Sequence, residues 1–214
     1  DVSKIGPEIL DNLFGEAEVR ILAGCAPCQP FSSYAQRYDT KRSPKWGLLF
    51  EFARLAHGVR PEIVIMENVP QVAKHTVYDD FVASLKRDGY HIWYEAVDCS
   101  EYGLPQRRRR MVLLASRFGP IELIGRTHAR PVTVREAIGH LPEIHAGGTH
   151  PSDRLHTAAD LTHINLERIR ASRPGGTWRD WPEHLIAPCH RRESGRSYSG
   201  VYGRMSWDEP SPTI

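Results

Sequence analysis

The chain has 214 residues, 40% of them hydrophobic and 25% charged, which excludes intrinsic disorder and allows one hydrophobic core with a smaller lobe. No apolar run approaches the roughly 20 residues that cross a bilayer, and no signal peptide precedes the first elements, so we expect no membrane contact. The net charge of +2 neither establishes nor excludes a polyanionic partner. Four cysteines are too few for a disulfide scaffold, so we expect a soluble protein in the reducing cytoplasm.

Strands and helices alternate from the first elements onward. Residues 19–24 form an apolar run that predicts a strand, which ends at Gly24 and opens into a proline-rich loop. Residues 48–57 carry an apolar stripe at helical spacing, with Gly58 as the expected C-cap. Residues 63–66 are continuously apolar, as in a strand covered on both faces.

A second helix is predicted over residues 79–88, followed by strands over 90–97 and 111–115. The order strand, helix, strand, helix, strand, strand favours an α/β domain with a mostly parallel, Rossmann-like sheet. Ligands of such sheets gather at the carboxyl ends of the strands. We expect this domain to span residues 1–119.

Residues 120–214 are richer in Gly, Pro and His and less periodic, which predicts a second, irregular lobe. Thr133 opens a capping-box pattern, and residues 161–172 are a further candidate helix that Gly175-Gly176 ends. The scattered histidines are interpreted mostly as surface or core residues rather than ligands, with phosphate contact by one or two of them left open. The tryptophans are expected to form the core of the lobe rather than to stack on bases; they are Trp178, Trp181 and Trp207.

Three polar clusters follow or precede predicted strands. Pro27-Cys28-Gln29 follows the first strand, Glu67-Asn68-Val69 follows the second, and residues 106–110, Gln-Arg-Arg-Arg-Arg, precede the last. Their spacing allows all three clusters to meet at one edge of the sheet, so we expect them to form a single site.

In this order, the three clusters resemble the hallmark motifs of the cytosine-C5 DNA methyltransferase family: a Pro-Cys-Gln loop, a Glu-Asn-Val strand end and a Gln-x-Arg-x-Arg segment. Phe31-Ser32 and residues 47–50, Gly-Leu-Leu-Phe, add to the resemblance, which spans roughly residues 1–117. It implies a methyltransferase sheet, transfer of methyl from S-adenosylmethionine to C5 of cytosine, and a bacterial modification or restriction-modification setting.

The resemblance also implies roles for individual residues. Cys28 would add to C6 of the base, Glu67 would act as general acid at N3, and Arg108 and Arg110 would brace the carboxylate and bind the base or its phosphate. Substrate contacts are expected from Gln29, Ser32, Asn68 and Gln106. The target base would be flipped out of double-stranded DNA.

The lobe from residue 120 onward resembles the target-recognition region of the family, which would face the major groove. Three further residues of this lobe are candidate DNA contacts: Tyr198, Tyr202 and Arg204.

The cofactor residues implied by the resemblance are Asp1, Val2, Pro27 and Leu49. The family's amino-terminal Phe-x-Gly-x-Gly loop and carboxyl-terminal Gly-Asn element are missing from this sequence. The first residue is Asp1, and residues 211–214 read as the start of a strand, so we expect a fragment. We therefore expect the isolated chain to bind S-adenosylmethionine weakly or not at all, with missing segments or a second chain completing the site.

Alternatives remain open. A tRNA cytosine methyltransferase would share the motifs, and a non-catalytic DNA-binding remnant would share the fold. Cys25-x-x-Cys28 could be half of a zinc site or a redox pair. A zinc site needs a second ligand pair at suitable spacing and only Cys189-His190 is offered, so we expect no metal. Under the preferred interpretation Cys25 is a small buried residue, and Cys99 and Cys189 are structural.

Overall fold

The computed structural model describes residues 1–27, 47–195 and 203–213. The strands there are β1 (Ile21–Gly24), β2 (Ile63–Asn68), β3 (His91–Asp98), β4 (Arg109–Ser116), β5 (Thr149–His150) and β6 (Asp153–Thr157). The α-helices are α1 (Pro7–Phe14), α2 (Gly47–Val59), α3 (Thr76–Arg87), α4 (Val134–Ile138), α5 (His163–Ala171) and α6 (Pro188–Arg191). The predicted order of strands and helices is confirmed from β1 to β4.

The larger sheet has the strand order β1-β2-β4-β3. β1 pairs with β2 in parallel, whereas β4 is antiparallel to both β2 and β3. The α/β class predicted from the sequence is confirmed, but this sheet is mixed rather than mostly parallel. Residues 99–108 join β3 to β4, and their only helical turn is the 3₁₀ helix Cys99–Tyr102. Two parallel strands need a longer crossover connection than this, so β4 runs antiparallel to β3.

Helices α2 and α3 cover one face of this sheet. Alternate residues of β2 and β4 point into this layer, where Val64, Met66, Leu113 and Ala115 are buried. The rings of Phe52 on α2 and Phe81 on α3 stack with centroids 5.4 Å apart. The buried core is therefore a two-layer α/β core, with each element contributing its apolar stripe.

Gly24, at the end of β1, allows α2 to approach the sheet closely. A Cβ atom at this position would lie 2.7 Å from the Phe52 ring. A larger residue at position 24 would push the helix away from the strand end, just before the chain enters the cysteine loop.

The end of α2 differs from the sequence prediction. Gly58 lies within the helix, and the left-handed residue after it is Arg60, with φ of 49°. The amide of Arg60 donates to the Ala56 carbonyl at 2.9 Å, and the Arg60 carbonyl accepts from the side chains of Arg20 and Arg117. These side-chain contacts offset the unfavourable φ, so the helix continues one residue past the predicted glycine cap.

A carboxylate braces the other end of the strands. Glu62, just before β2, accepts from the backbone amide and guanidinium of Arg20, and Arg117 after β4 lies 3.6 Å from it. The hydrogen bond from the Arg20 side chain is the main cause that lowers the pKa of Glu62 to about 2. The Glu62 carboxylate thus links the start of β1 and β2 to the end of β4.

The chain divides into two compact units. The first comprises residues 1–98 and 109–126, and the second comprises residues 99–108 and 127–214. The first unit extends to residue 126, and the loop between β3 and β4 belongs to the second unit. The assignment of residues 1–119 to catalysis and 120–214 to target recognition stays a prediction. Backbone hydrogen bonds from Arg107 to Ser211 and from Thr127 to Glu101 attach this loop to the second unit.

The second unit has a small aromatic core. Trp178 and Trp181 are buried with Leu185, as predicted for two of the three tryptophans. The prediction for Trp207 is wrong, because its side chain is 41% exposed and the Arg135 guanidinium lies 5.6 Å from its ring centre. A cation–π contact at the surface replaces burial here.

Local predictions in the second unit are also confirmed. The Thr133 capping box is present at the start of α4, with Glu136 completing it. The predicted helix over residues 161–172 is α5, and Gly175 follows with φ of 72°. Strands β5 and β6 form a short hairpin.

Within the described ranges, no helix is long and apolar enough to cross a membrane.

Candidate active site

The site is built at the end of the sheet where β1 and β2 finish. Gly24 is aligned with Met66 in the parallel register, so the next residues, Cys25 and Glu67, are neighbours. In the antiparallel register Glu67 faces Val112, and Arg110 lies two residues along on the same side of β4. Strand pairing therefore brings together side chains that are more than forty residues apart in sequence.

Both carboxylate oxygens of Glu67 have a partner. Arg110 Nε lies 2.6 Å from Oε1, and Cys25 Sγ lies 3.0 Å from Oε2. The Arg110 side chain is 15% exposed and that of Glu67 is 39% exposed. A partly exposed ion pair adds little to stability, but it fixes the carboxylate while leaving it open to a ligand.

Asn68 joins the two strand ends. It is 1% exposed, its amide nitrogen donates to the Ala26 carbonyl at 2.9 Å, and its oxygen accepts from the Val69 amide at 2.8 Å. These bonds hold the start of the loop after β1 beside Glu67. Because both ends of the amide group are occupied, the structure gives Asn68 a role in shaping the site, and the substrate contact stays a prediction.

The family model for C-5 cytosine-specific DNA methylases matches residues 1–213. The chain belongs to this family.

Two curated relatives are named type II methylases. M.HgiDII of Herpetosiphon aurantiacus is 46% identical over 100% of this chain and 61% of its own length. M1.BsuMI of Bacillus subtilis is 31% identical over 91% of this chain and 44% of its own length. The chain thus spans about half of the length of the curated relatives it matches.

Solved structures of similar fold include a candidate DNA modification methyltransferase encoded in an Escherichia coli prophage. Its TM-score is 0.66 at 20% identity, covering 100% of this chain and 68% of that one. The methyltransferase EhMeth of Entamoeba histolytica gives 0.55 at 15% identity, covering 82% of this chain and 51% of its own. At these identities the likeness shows a shared fold.

Several of the predicted site residues lie outside the described residues. These are Cys28, Gln29 and Ser32, together with the candidate DNA contacts Tyr198 and Tyr202. The first described range ends at Pro27, directly before Cys28 in the sequence. Ala26 is buried there and Pro27 is exposed.

Of the predicted arginines, Arg110 reaches Glu67 and belongs to the first unit, whereas Arg108 belongs to the second. The Arg108 carbonyl accepts from the Cys99 amide at 2.8 Å, which closes the base of the loop. The predicted roles of Arg108 and Gln106 toward the substrate stay predictions.

Gln106 forms an isolated parallel bridge with Ser211, which sequence reasoning missed. The amide of Arg107 donates to the Ser211 carbonyl at 2.8 Å, and the Thr213 hydroxyl donates to the Arg107 carbonyl at 2.5 Å. Arg107 also pairs with Glu209. The strand-like pattern that begins at Ser211 was the signal, but its bridge partner, Gln106, lies about a hundred residues earlier in the sequence.

The residues predicted to bind S-adenosylmethionine fit that group only in part. Asp1 is exposed, and its side chain accepts from the Ser3 amide at the start of the 3₁₀ helix Val2–Lys4. Val2 is half-buried and Pro27 is exposed. Leu49 is only 1% exposed and lies in the α2–α3 core, so its observed role is packing, and a cofactor contact would require the core to open.

The prediction that Cys25 is buried is wrong, because its thiol is exposed and contacts Glu67. Its place one residue past the end of β1 could have indicated an exposed site residue. Its contact with Glu67, however, depends on the register between β1 and β2. Cys99 is half-buried and Cys189 is exposed. In the ranges that the structure describes, no group of three or more His, Cys, Asp or Glu residues is arranged to hold a metal ion.

Proposed function

We propose that the protein transfers a methyl group from S-adenosylmethionine to C5 of cytosine in double-stranded DNA, with Cys28 as the nucleophile. The observation that supports this most directly is the Glu67–Arg110 pair at the strand end, beside the loop that leads into Cys28. Membership of the C-5 cytosine-specific DNA methylase family and the type II names of its relatives support the same substrate and reaction.

Cytosine C5 is a poor nucleophile until sulfur adds to the ring. The Cys28 thiolate would form a bond to C6, and the displaced electron pair would move toward N3 and C5. Glu67 would relieve the charge by donating a proton from its carboxyl group to N3, while Arg110 holds that group in place and stabilises the carboxylate that results. Because Glu67 is 39% exposed, a base can reach it without displacing the ion pair.

When bound, S-adenosylmethionine supplies an electrophilic methyl group on its sulfonium. C5 of the base would accept that methyl, and the cofactor would leave as a neutral thioether. A base would then take the C5 proton, whose electron pair re-forms the C5–C6 double bond as the Cys28 sulfur leaves C6 as a thiolate. Return of the N3 proton to Glu67 would restore both the ring and the general acid.

The base must leave the double helix to reach this site, because stacked neighbours cover both of its faces. We assign catalysis to the first unit and target recognition in the major groove to the second unit, with Arg108, Gln106, Gln29 and Ser32 contacting the flipped nucleotide. Asp1, Val2 and Pro27 would contribute to the cofactor site, and further segments or a second chain would complete it.

The biological setting we propose is a type II restriction-modification system in a bacterial cytoplasm, where the enzyme would be associated with the nucleoid when bound to DNA. The names of the curated relatives support this setting.

The test is covalent trapping on a duplex that carries 5-fluorocytosine in the recognition sequence, with S-adenosylmethionine and the full-length protein. Fluorine cannot leave as a proton does, so the adduct through Cys28 accumulates. We expect a band shift under denaturing conditions that Cys28→Ser abolishes. Absence of an adduct on every duplex would support the non-catalytic remnant, and methylation of tRNA but not of DNA would support the tRNA enzyme.

A further inference from the structure

Two side chains hold the Glu67 carboxylate in the described part of the chain, Arg110 at one oxygen and Cys25 at the other. Cys25 Sγ lies 3.0 Å from Glu67 Oε2, while Arg110 Nε lies 2.6 Å from Oε1. The thiol is exposed and lies in the first unit with both partners. The sequence motif includes Glu67 and Arg110 but gives no role to Cys25.

Backbone pairing fixes the position of this thiol. Cys25 follows Gly24, which is aligned with Met66, so Cys25 lies beside Glu67 on the same side of the sheet. The bond from the Asn68 amide nitrogen to the Ala26 carbonyl holds the next residue of the loop at 2.9 Å. Strand pairing before Cys25 and the hydrogen bond to Ala26 after it therefore fix the position of the thiol beside Glu67.

Two contacts are needed because a glutamate carboxylate is free to rotate about its last side-chain bond, whose torsional wells are broad. Arg110 Nε lies 2.6 Å from Oε1, and Cys25 Sγ lies 3.0 Å from the other oxygen, Oε2. A donor on Oε2 prevents this rotation. A thiol is a weak donor, but toward a carboxylate its hydrogen bond is charge-assisted.

We propose that Cys25 is a positioning residue for Glu67: its thiol donates to Oε2 and holds the carboxylate in the plane in which it meets N3 of the cytosine. This inference rests on the proposed function of Glu67 as general acid. Cys25 itself touches neither the reacting atoms nor the methyl group.

The first test compares Cys25→Ala with Cys25→Ser in the full-length protein, using steady-state methylation of duplex DNA. We expect Cys25→Ala to lower kcat about 3- to 10-fold, the effect of one lost hydrogen bond, with KM for DNA unchanged. Cys25→Ser keeps a donor and should restore most of kcat. Cys189→Ala, another exposed cysteine, is the matched control and should match the wild type.

The second test is a double-mutant cycle with Glu67→Gln. If Cys25 acts through Glu67, Cys25→Ala should change single-turnover methylation by less than about twofold once Glu67 has been replaced. An equal loss in both backgrounds would overturn the proposal. So would a wild-type kcat in Cys25→Ala, or a Cys25→Ser protein as slow as Cys25→Ala.

Failure of the proposed function would look different. In that case the wild-type protein would form no adduct with 5-fluorocytosine duplex and Glu67→Gln would change no measurable rate. If the wild type forms the adduct and Glu67→Gln is slow, an unaffected Cys25→Ala protein would overturn the role of Cys25 and leave the proposed function standing.

Discussion

Two glutamates at opposite ends of β2 show how neighbouring side chains decide the role of a residue. Glu62 lies before β2, where Arg20 and Arg117 hold it and its side chain is 16% exposed. Glu67 lies near the other end of β2, is 39% exposed and shares its oxygens between Arg110 and Cys25. The first carboxylate is committed to structural contacts, whereas the second keeps an open side toward a ligand.

At the residue scale, Arg110→Ala should lower kcat for DNA methylation about a hundredfold, because the general acid loses its fixed positive partner. Arg109→Ala is the matched control, since Arg109 is exposed and its backbone carbonyl, which accepts from Arg110 at 2.8 Å, is kept. Equal activity of the two variants in steady-state assays would show that the Glu67–Arg110 pair has no part in the reaction. Circular dichroism would check that both variants fold.

At the scale of elements, the β1–β2–β4 pairing creates the site, and each strand also has a structural contact at its far end. Glu62 joins these far ends through Arg20, and the pKa of Glu62 is lowered from its ordinary value of 4.5 to about 2. A carboxyl whose pKa is depressed on folding stabilises the fold above its unfolded pKa, and that contribution is lost as the pH falls toward the folded value.

We therefore expect Glu62 to contribute fully at pH 7 and to lose its contribution between about pH 4.5 and pH 2. After allowance for solvent screening, the free energy of unfolding should differ by about 1 kcal/mol between wild type and Glu62→Gln at neutral pH. Urea unfolding should show that this difference shrinks as the pH approaches 3. Glu18→Gln, at an exposed position, is the control, and a difference that stays constant with pH would contradict the prediction.

At the scale of the whole molecule, the two compact units do not follow the order of the chain. Residues 99–108 leave the first unit between β3 and β4 and join the second unit, where Gln106 and Arg107 pair with residues near Ser211. The Gln-x-Arg-x-Arg motif is thereby divided, with Arg108 in the second unit and Arg110 in the first. One motif thus contributes residues to both units.

The S-adenosylmethionine prediction belongs to this scale. The chain covers 61% of M.HgiDII, and of its predicted cofactor residues Leu49 is buried in the core. We expect isothermal titration of residues 1–214 with S-adenosylmethionine to give no saturable binding at micromolar concentrations, and the full-length protein to bind. Micromolar affinity of residues 1–214 alone would contradict this expectation and would require a cofactor site built from the described residues.

The sequence by itself determined the α/β class, the order of elements from β1 to β4, the Thr133 capping box and the family, because periodicity, caps and short motifs are local properties of the chain. Only the tertiary structure decided the mixed direction of the strands, the role of Arg60 at the end of α2 and the contact between Cys25 and Glu67. These features depend on strand register and on which distant segments pack together. The spacing of residues along the chain does not encode either of these directly.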